Sequence, residues 1–114
     1  MEPQPPPNPP LLILVRDLLF SSKITSAAKH AGTPFKVIRD PAQLLVQPGR
    51  RLLVDLTLDG AIPAAANWHQ ETDGDVVGFV GHVETEIIAR AKTAGIPKVV
   101  SRGQFVQILP GLVE

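Results

Sequence analysis

The sequence predicts an α/β domain, a three-layer sandwich doubly wound around a five-stranded parallel sheet. Two observations carry that expectation. Leu11-Leu12-Ile13-Leu14-Val15 and Leu52-Leu53-Val54 are apolar without alternation, the pattern of strands buried on both faces. Strand-like and helix-like segments then alternate five times through short links, with no period that suggests a solenoid.

Each element has its own local reason. Residues 1–10 hold six prolines, which can continue neither a ladder nor a helix, so they read as a disordered or polyproline tail ahead of a domain over residues 11–114. The first strand covers about 11–16, with Arg16-Asp17-Leu18-Leu19-Phe20 as the loop at its carboxyl end. Ser21 or Ser22 can cap a helix with Ile24, Ala27, Ala28 and Ala31 inward, ended by Gly32 and barred by Pro34. A second, partly alternating strand follows over 34–39. Asp40-Pro41-Ala42-Gln43 has helix-start chemistry, and Leu44, Leu45 and Val46 extend it into a short helix stopped by Pro48-Gly49.

The third strand spans 51–56 and ends on Asp55, before the turn Thr57-Leu58-Asp59-Gly60. Ala61, Ala65 and Trp68 then recur at helical spacing up to about Gln70, with Trp68 as a core anchor. Asp73-Gly74 is a turn, and Asp75 to Val80 is a fourth buried strand closed by Gly81-His82. A helix from Val83 to Ala94 turns Val83, Ile87, Ile88 and Ala91 inward, with Glu84 and Glu86 early and Lys92 late, as the helix dipole prefers. The fifth strand covers 97–101. A short last helix runs from Gly103 to about Leu109, broken by Pro110. The expected strand order is 2-1-3-4-5, flavodoxin-like.

Composition narrows the function classes. Eleven Lys and Arg balance eleven Asp and Glu, so nothing favours nucleic acid or an anionic membrane. No cysteine excludes disulfides, thiolate chemistry and cysteine zinc sites, and 4% aromatics leave little for stacking on bases. The apolar run to Phe20 is too short to span a bilayer and is interrupted by Arg16 and Asp17. A cytoplasmic, bacterial-type protein is the default expectation. His30 and His69 have no partner at metal-ligand spacing, and neither a P-loop nor a dinucleotide glycine motif follows the first strand.

In an open parallel sheet, chemistry gathers at the carboxyl ends of the strands. That places Arg16, Asp17, Asp55, Gly81, His82, Ser101 and Arg102 around one crevice. Five βα units with an aspartate after the third strand resemble a response-regulator receiver domain over residues 11–114. The resemblance implies an acidic pair after strand one, a phosphorylatable aspartate after strand three, a hydroxyl residue after strand four and a lysine after strand five. It also implies an aromatic residue three positions before that lysine, which couples to the hydroxyl. Carried over position by position, Asp55 and Asp17 are kept. Arg16 replaces the other acid, Gly81 the hydroxyl residue, Arg102 the lysine and Val99 the aromatic.

The acidic pair would hold Mg²⁺, which wants oxygen ligands, and a guanidinium at Arg16 puts positive charge where the metal would go. Mg²⁺ binding is therefore not expected, and no other cofactor or metal is implied. The expectation is a degenerate receiver: a non-catalytic signalling or protein-interaction module with an unknown protein partner, or a weak homodimer. Its association face would lie around Ile87, Lys98, Val99 and Phe105, with Phe105, Ile108 and Leu109 partly outside the core. Two further uses of the crevice stay open. Arg16 or Arg102 could neutralise Asp17 and Asp55 by direct pairing. Alternatively, Asp55 could accept a phosphoryl group, or a small anion could bind near the helices after Ser21 and Val83.

Overall fold

The unbroken apolar runs do become the centre of a parallel sheet. The computed structural model describes residues 9–81 and 84–114. Strands β1 (Leu11–Leu14), β2 (Phe35–Ile38), β3 (Arg51–Asp55), β4 (Asp75–Val80) and β5 (Lys98–Ser101) pair in parallel in the order β2-β1-β3-β4-β5. Helices α1 (Leu18–His30), α2 (Ala61–Thr72) and α3 (Thr85–Ala94) follow β1, β3 and β4, and α4 (Arg102–Leu112) follows β5. A single 3-10 turn, Pro41–Gln43, stands where a helix of the second βα unit would be.

Alternation along the strands sorts the core into two layers. Leu12, Leu14, Leu52, Val54 and Val76 pack under α2, α3 and Leu44. Leu11, Ile13, Leu53, Val77 and Phe79 pack under α1 and α4. Each such side chain contributes about 1.5–3 kcal/mol when removed from water. Trp68 anchors the first layer: it is fully buried, and its Nε1–H donates to the Gln47 carbonyl at 2.9 Å.

Three local expectations are corrected. Helix α1 starts a turn earlier than Ser21, because the Asp17 carboxylate takes the amides of Leu19 and Phe20. Leu18 and Leu19 are thus helical and exposed, and Ser21 is buried inside the first turn. No helix forms over Leu44–Val46; Leu44 turns into the core while Leu45 and Val46 face outward.

Helix α4 is not broken at Pro110 but runs to Leu112. Proline costs about 3 kcal/mol in a helix interior, yet burial of Leu109, Leu112 and Val113 opposes that cost. The final carbonyls also find donors: Arg51 Nη1 reaches the Leu112 carbonyl at 2.6 Å, and Arg50 reaches those of Val113 and Glu114. The expected start of the third helix at Val83 lies outside the described residues. Among the described residues no helix is long and apolar enough to cross a membrane.

Candidate functional site

The parallel register brings the strand ends together. Leu14 lies opposite Val54, Asp55 opposite Phe79, and Val80 opposite Ser101. The carboxyl ends of β1, β3, β4 and β5 therefore lie along one edge of the sheet. His82 lies outside the described residues.

Asp55 is the buried acid of this edge, only 6% exposed. One carboxylate oxygen, Oδ1, accepts both the Thr57 amide at 2.9 Å and the Thr57 hydroxyl at 2.6 Å. This is an aspartate-initiated turn, in which the side chain satisfies the backbone that leaves the strand. No arginine approaches Asp55 within ion-pair distance among the described residues. Self-neutralisation of Asp55 by an arginine is therefore corrected. The sequence placed a turn at Thr57 but not its bonds to Asp55, although a position two residues after an aspartate is the spacing of such a turn.

Asp17 does two jobs. Its Oδ1 caps α1, accepting from Leu19 at 3.0 Å and Phe20 at 3.1 Å. Its Oδ2 faces Arg102 Nη1 at 3.7 Å, the one arginine–aspartate pair of the crevice among the described residues. Arg102 opens α4, and its guanidinium lies 4.6 Å above the Phe20 ring and 5.8 Å from that of Phe79. Phe20, Phe79 and Phe105 form a tilted aromatic trio with centroid separations of 4.7–5.7 Å. A cation above such rings is attracted by their negative faces. Arg102 thus sits on the α1–α4 side, tied to an aromatic floor that the sequence alone did not place beneath it.

Arg16 points elsewhere. Its Nε donates to the Arg39 carbonyl at 3.0 Å, at the end of the edge strand β2. It lines a polar groove of about 440 Å³ with Asp40, Pro41, Asp59 and Asn67. Gly81 is exposed and open: a Cβ there would meet nothing within 4 Å. Ser101 caps α4, its Oγ accepting the Gln104 amide at 3.1 Å.

These residues do not suit Mg²⁺. Its octahedral shell needs several oxygen ligands converging on one point. Here one acidic position is an arginine, and Asp17 is engaged with a helix cap and Arg102. Among the described residues no three His, Asp or Glu side chains cluster.

On the opposite edge, Lys98 is exposed while Ile87 and Val99 are half-buried. Phe105 is fully buried in the aromatic trio. It therefore does not belong to an association face, because α4 continues past Pro110 and packs its apolar side on the sheet.

No protein-family model matches the chain, and no curated protein matches it in sequence. Solved structures do match its architecture. The signal receiver domain of NarL from Mycobacterium tuberculosis superposes with a TM-score of 0.76 at 19% identity, over 95% of this chain and 94% of that one. A cyanobacterial phytochrome response regulator, RcpA in its phosphorylated form, gives 0.74 at 14% identity over 92% and 91%. A CheY-like receiver domain protein from Methanospirillum hungatei gives 0.73 at 12% identity over 92% and 96%. At these identities the likeness is one of fold: the chain has the doubly wound architecture of response-regulator receiver domains.

Proposed function

We propose that this chain is a receiver-like signalling module of the two-component type that works by binding a protein partner and does not depend on phosphoryl transfer to Asp55. One observation carries the reading. The crevice around Asp55 offers no converging acidic pair: Arg16 is turned to the Arg39 carbonyl, and Asp17 caps α1 and faces Arg102. Without a metal or a second cation at the acceptor, charge on a transferring phosphoryl group goes unneutralised. Gly81 has no hydroxyl to hold the product, and Val99 has no ring to couple to it. The module is non-enzymatic in this reading. The partner docks on the β5 edge, where Lys98 is exposed beside half-buried Ile87 and Val99.

A second reading keeps Asp55 as a phospho-acceptor or the crevice as an anion-responsive site. It is favoured by the position of Asp55 at the end of β3, with only Oδ1 engaged among the described residues. Incubation with acetyl phosphate and Mg²⁺ followed by intact-mass spectrometry separates the two. No adduct is expected. A stoichiometric adduct of one phosphoryl group that disappears in Asp55→Asn would establish the second reading instead.

A further inference from the structure

The chain holds two Asp-Gly pairs, Asp59-Gly60 and Asp73-Gly74, one at each end of α2. In such a pair the glycine nitrogen can attack the aspartate side-chain carbonyl, because no side chain shields it and the backbone turns easily. The resulting five-membered ring closes only when that nitrogen is eclipsed with the aspartate Cβ about the Cα–C bond. The fold treats the two pairs differently.

At Asp73-Gly74 it blocks closure. Asp73 is held left-handed at φ 58° and ψ 12°, which eclipses the Gly74 nitrogen with the nitrogen of Asp73 and not with its Cβ. Gly74 is buried, its N–H donating to Thr72 Oγ1 at 3.0 Å and its carbonyl accepting from His69 Nδ1 at 2.6 Å. Turning the Asp73–Gly74 peptide therefore breaks the bond to Thr72 in a site packed against the Trp68 ring.

At Asp59-Gly60 nothing comparable holds the peptide. The Ala61 amide donates to the Leu58 carbonyl at 3.0 Å, and Gly60, at φ 78° and ψ 0°, takes the third place of a type II turn. The Asp59–Gly60 peptide is the central one of that turn. Types I and II differ in the orientation of this peptide and share the closing bond, so it can rotate without opening the turn. Among the described residues the Gly60 N–H donates to no backbone carbonyl and Asp59 has no ion-pair partner. Both residues are exposed.

We propose that Asp59 is a spontaneous modification site, which the folded chain converts to isoaspartate while it protects Asp73. The Gly60 nitrogen bonds to Cγ of Asp59, and the carboxyl hydroxyl leaves with the amide proton as water. Water then adds to either ring carbonyl, giving back aspartate or giving isoaspartate with no net change in mass. The isoaspartyl product lengthens the backbone ahead of α2 by one methylene. It also leaves a free α-carboxylate in the groove that Arg16 and Asp40 line, the substrate class of an enzyme that methylates isoaspartyl groups. The proposal goes beyond the partner-binding reading and does not depend on it.

Ageing the wild type for several weeks at neutral pH and body temperature tests it. Cleavage after arginine releases a 52–90 peptide holding both pairs, and electron-transfer fragmentation assigns isoaspartate to each. Asp59 is expected to carry roughly tenfold more than Asp73 or above, because closure at Asp73 needs a local opening against hydrogen bonding and burial. In urea the two sites react to similar extents. Asp59→Glu loses the product at that position, since its ring would have six members. Thr72→Val, which takes away the acceptor of the Gly74 N–H, raises the product at Asp73; circular dichroism verifies that both variants fold. Equal isoaspartate at the two sites of the folded protein overturns the proposal. So does its absence at Asp59 when the chain in urea has reacted.

Discussion

Replacing Phe105 by alanine probes the packing that joins α4 to the sheet. Phe105 is fully buried, with its centroid 4.7 Å from Phe79 and 5.7 Å from Phe20. A phenylalanine-to-alanine change in a core costs about 3–5 kcal/mol, from lost transfer energy and the cavity left behind. The two aromatic contacts place Phe105 toward the upper part of that range, since each such pair adds roughly 0.5–1.5 kcal/mol beyond area burial. A domain of this kind is stable by about 5–15 kcal/mol in total, so the variant remains folded only if the wild type has margin. Urea unfolding followed by circular dichroism gives the answer. With a slope of about 1–3 kcal/mol per molar, the midpoint falls by roughly 2 M. A loss under about 1 kcal/mol would refute the placement of Phe105 and return it to an exposed face.

Two further perturbations test local causes. Gly74→Ala puts a Cβ 2.6 Å from Cζ3 of Trp68, whose ring is tethered by its bond to the Gln47 carbonyl. A loss of about 1–3 kcal/mol in denaturant unfolding is expected from overpacking, and an unchanged midpoint would show that the ring can move. Asp17→Ala removes the α1 cap and the partner of Arg102 together. About 1–2 kcal/mol should be lost, most of it from the cap because the ion pair is half-exposed; Asp17→Asn, which can still cap, should recover most of that.

Much of the fold was legible because its strongest signal is local and one-dimensional. Leu11 to Leu14 and Leu52 to Val54 cannot be satisfied on a half-wetted surface, so they specify a sheet covered on both faces. The boundaries were less legible where two local solutions compete. Asp17 and Ser21 are both good caps; the outcome depends on whether Phe20 reaches the core, which it does by packing on Phe79. Pro110 reads as a stop in isolation, and only the tertiary anchoring by Arg50 and Arg51 shows why the helix passes it.

The candidate site divides in the same way. Which residues reach the strand ends follows from the topology, so Asp17, Asp55, Gly81 and Arg102 were all readable. Where a long side chain goes after arriving there was not. Arg16 and Arg102 both leave strands toward the crevice, but one finds the Arg39 carbonyl and the other an aromatic floor. Neither partner adjoins its arginine in sequence.

If the crevice lacks what phosphoryl transfer to Asp55 requires, supplying the missing groups should restore the reaction. A side-by-side reaction of the wild type and an Arg16→Asp/Gly81→Ser variant with acetyl phosphate and Mg²⁺ addresses it most directly. Both positions are exposed, and a side chain at Gly81 meets open space. The predicted result is an unmodified wild type and a variant that gains one phosphoryl group, lost again when Asp55→Asn is added. Phosphorylation of the wild type at Asp55 to the same extent as the variant would contradict it.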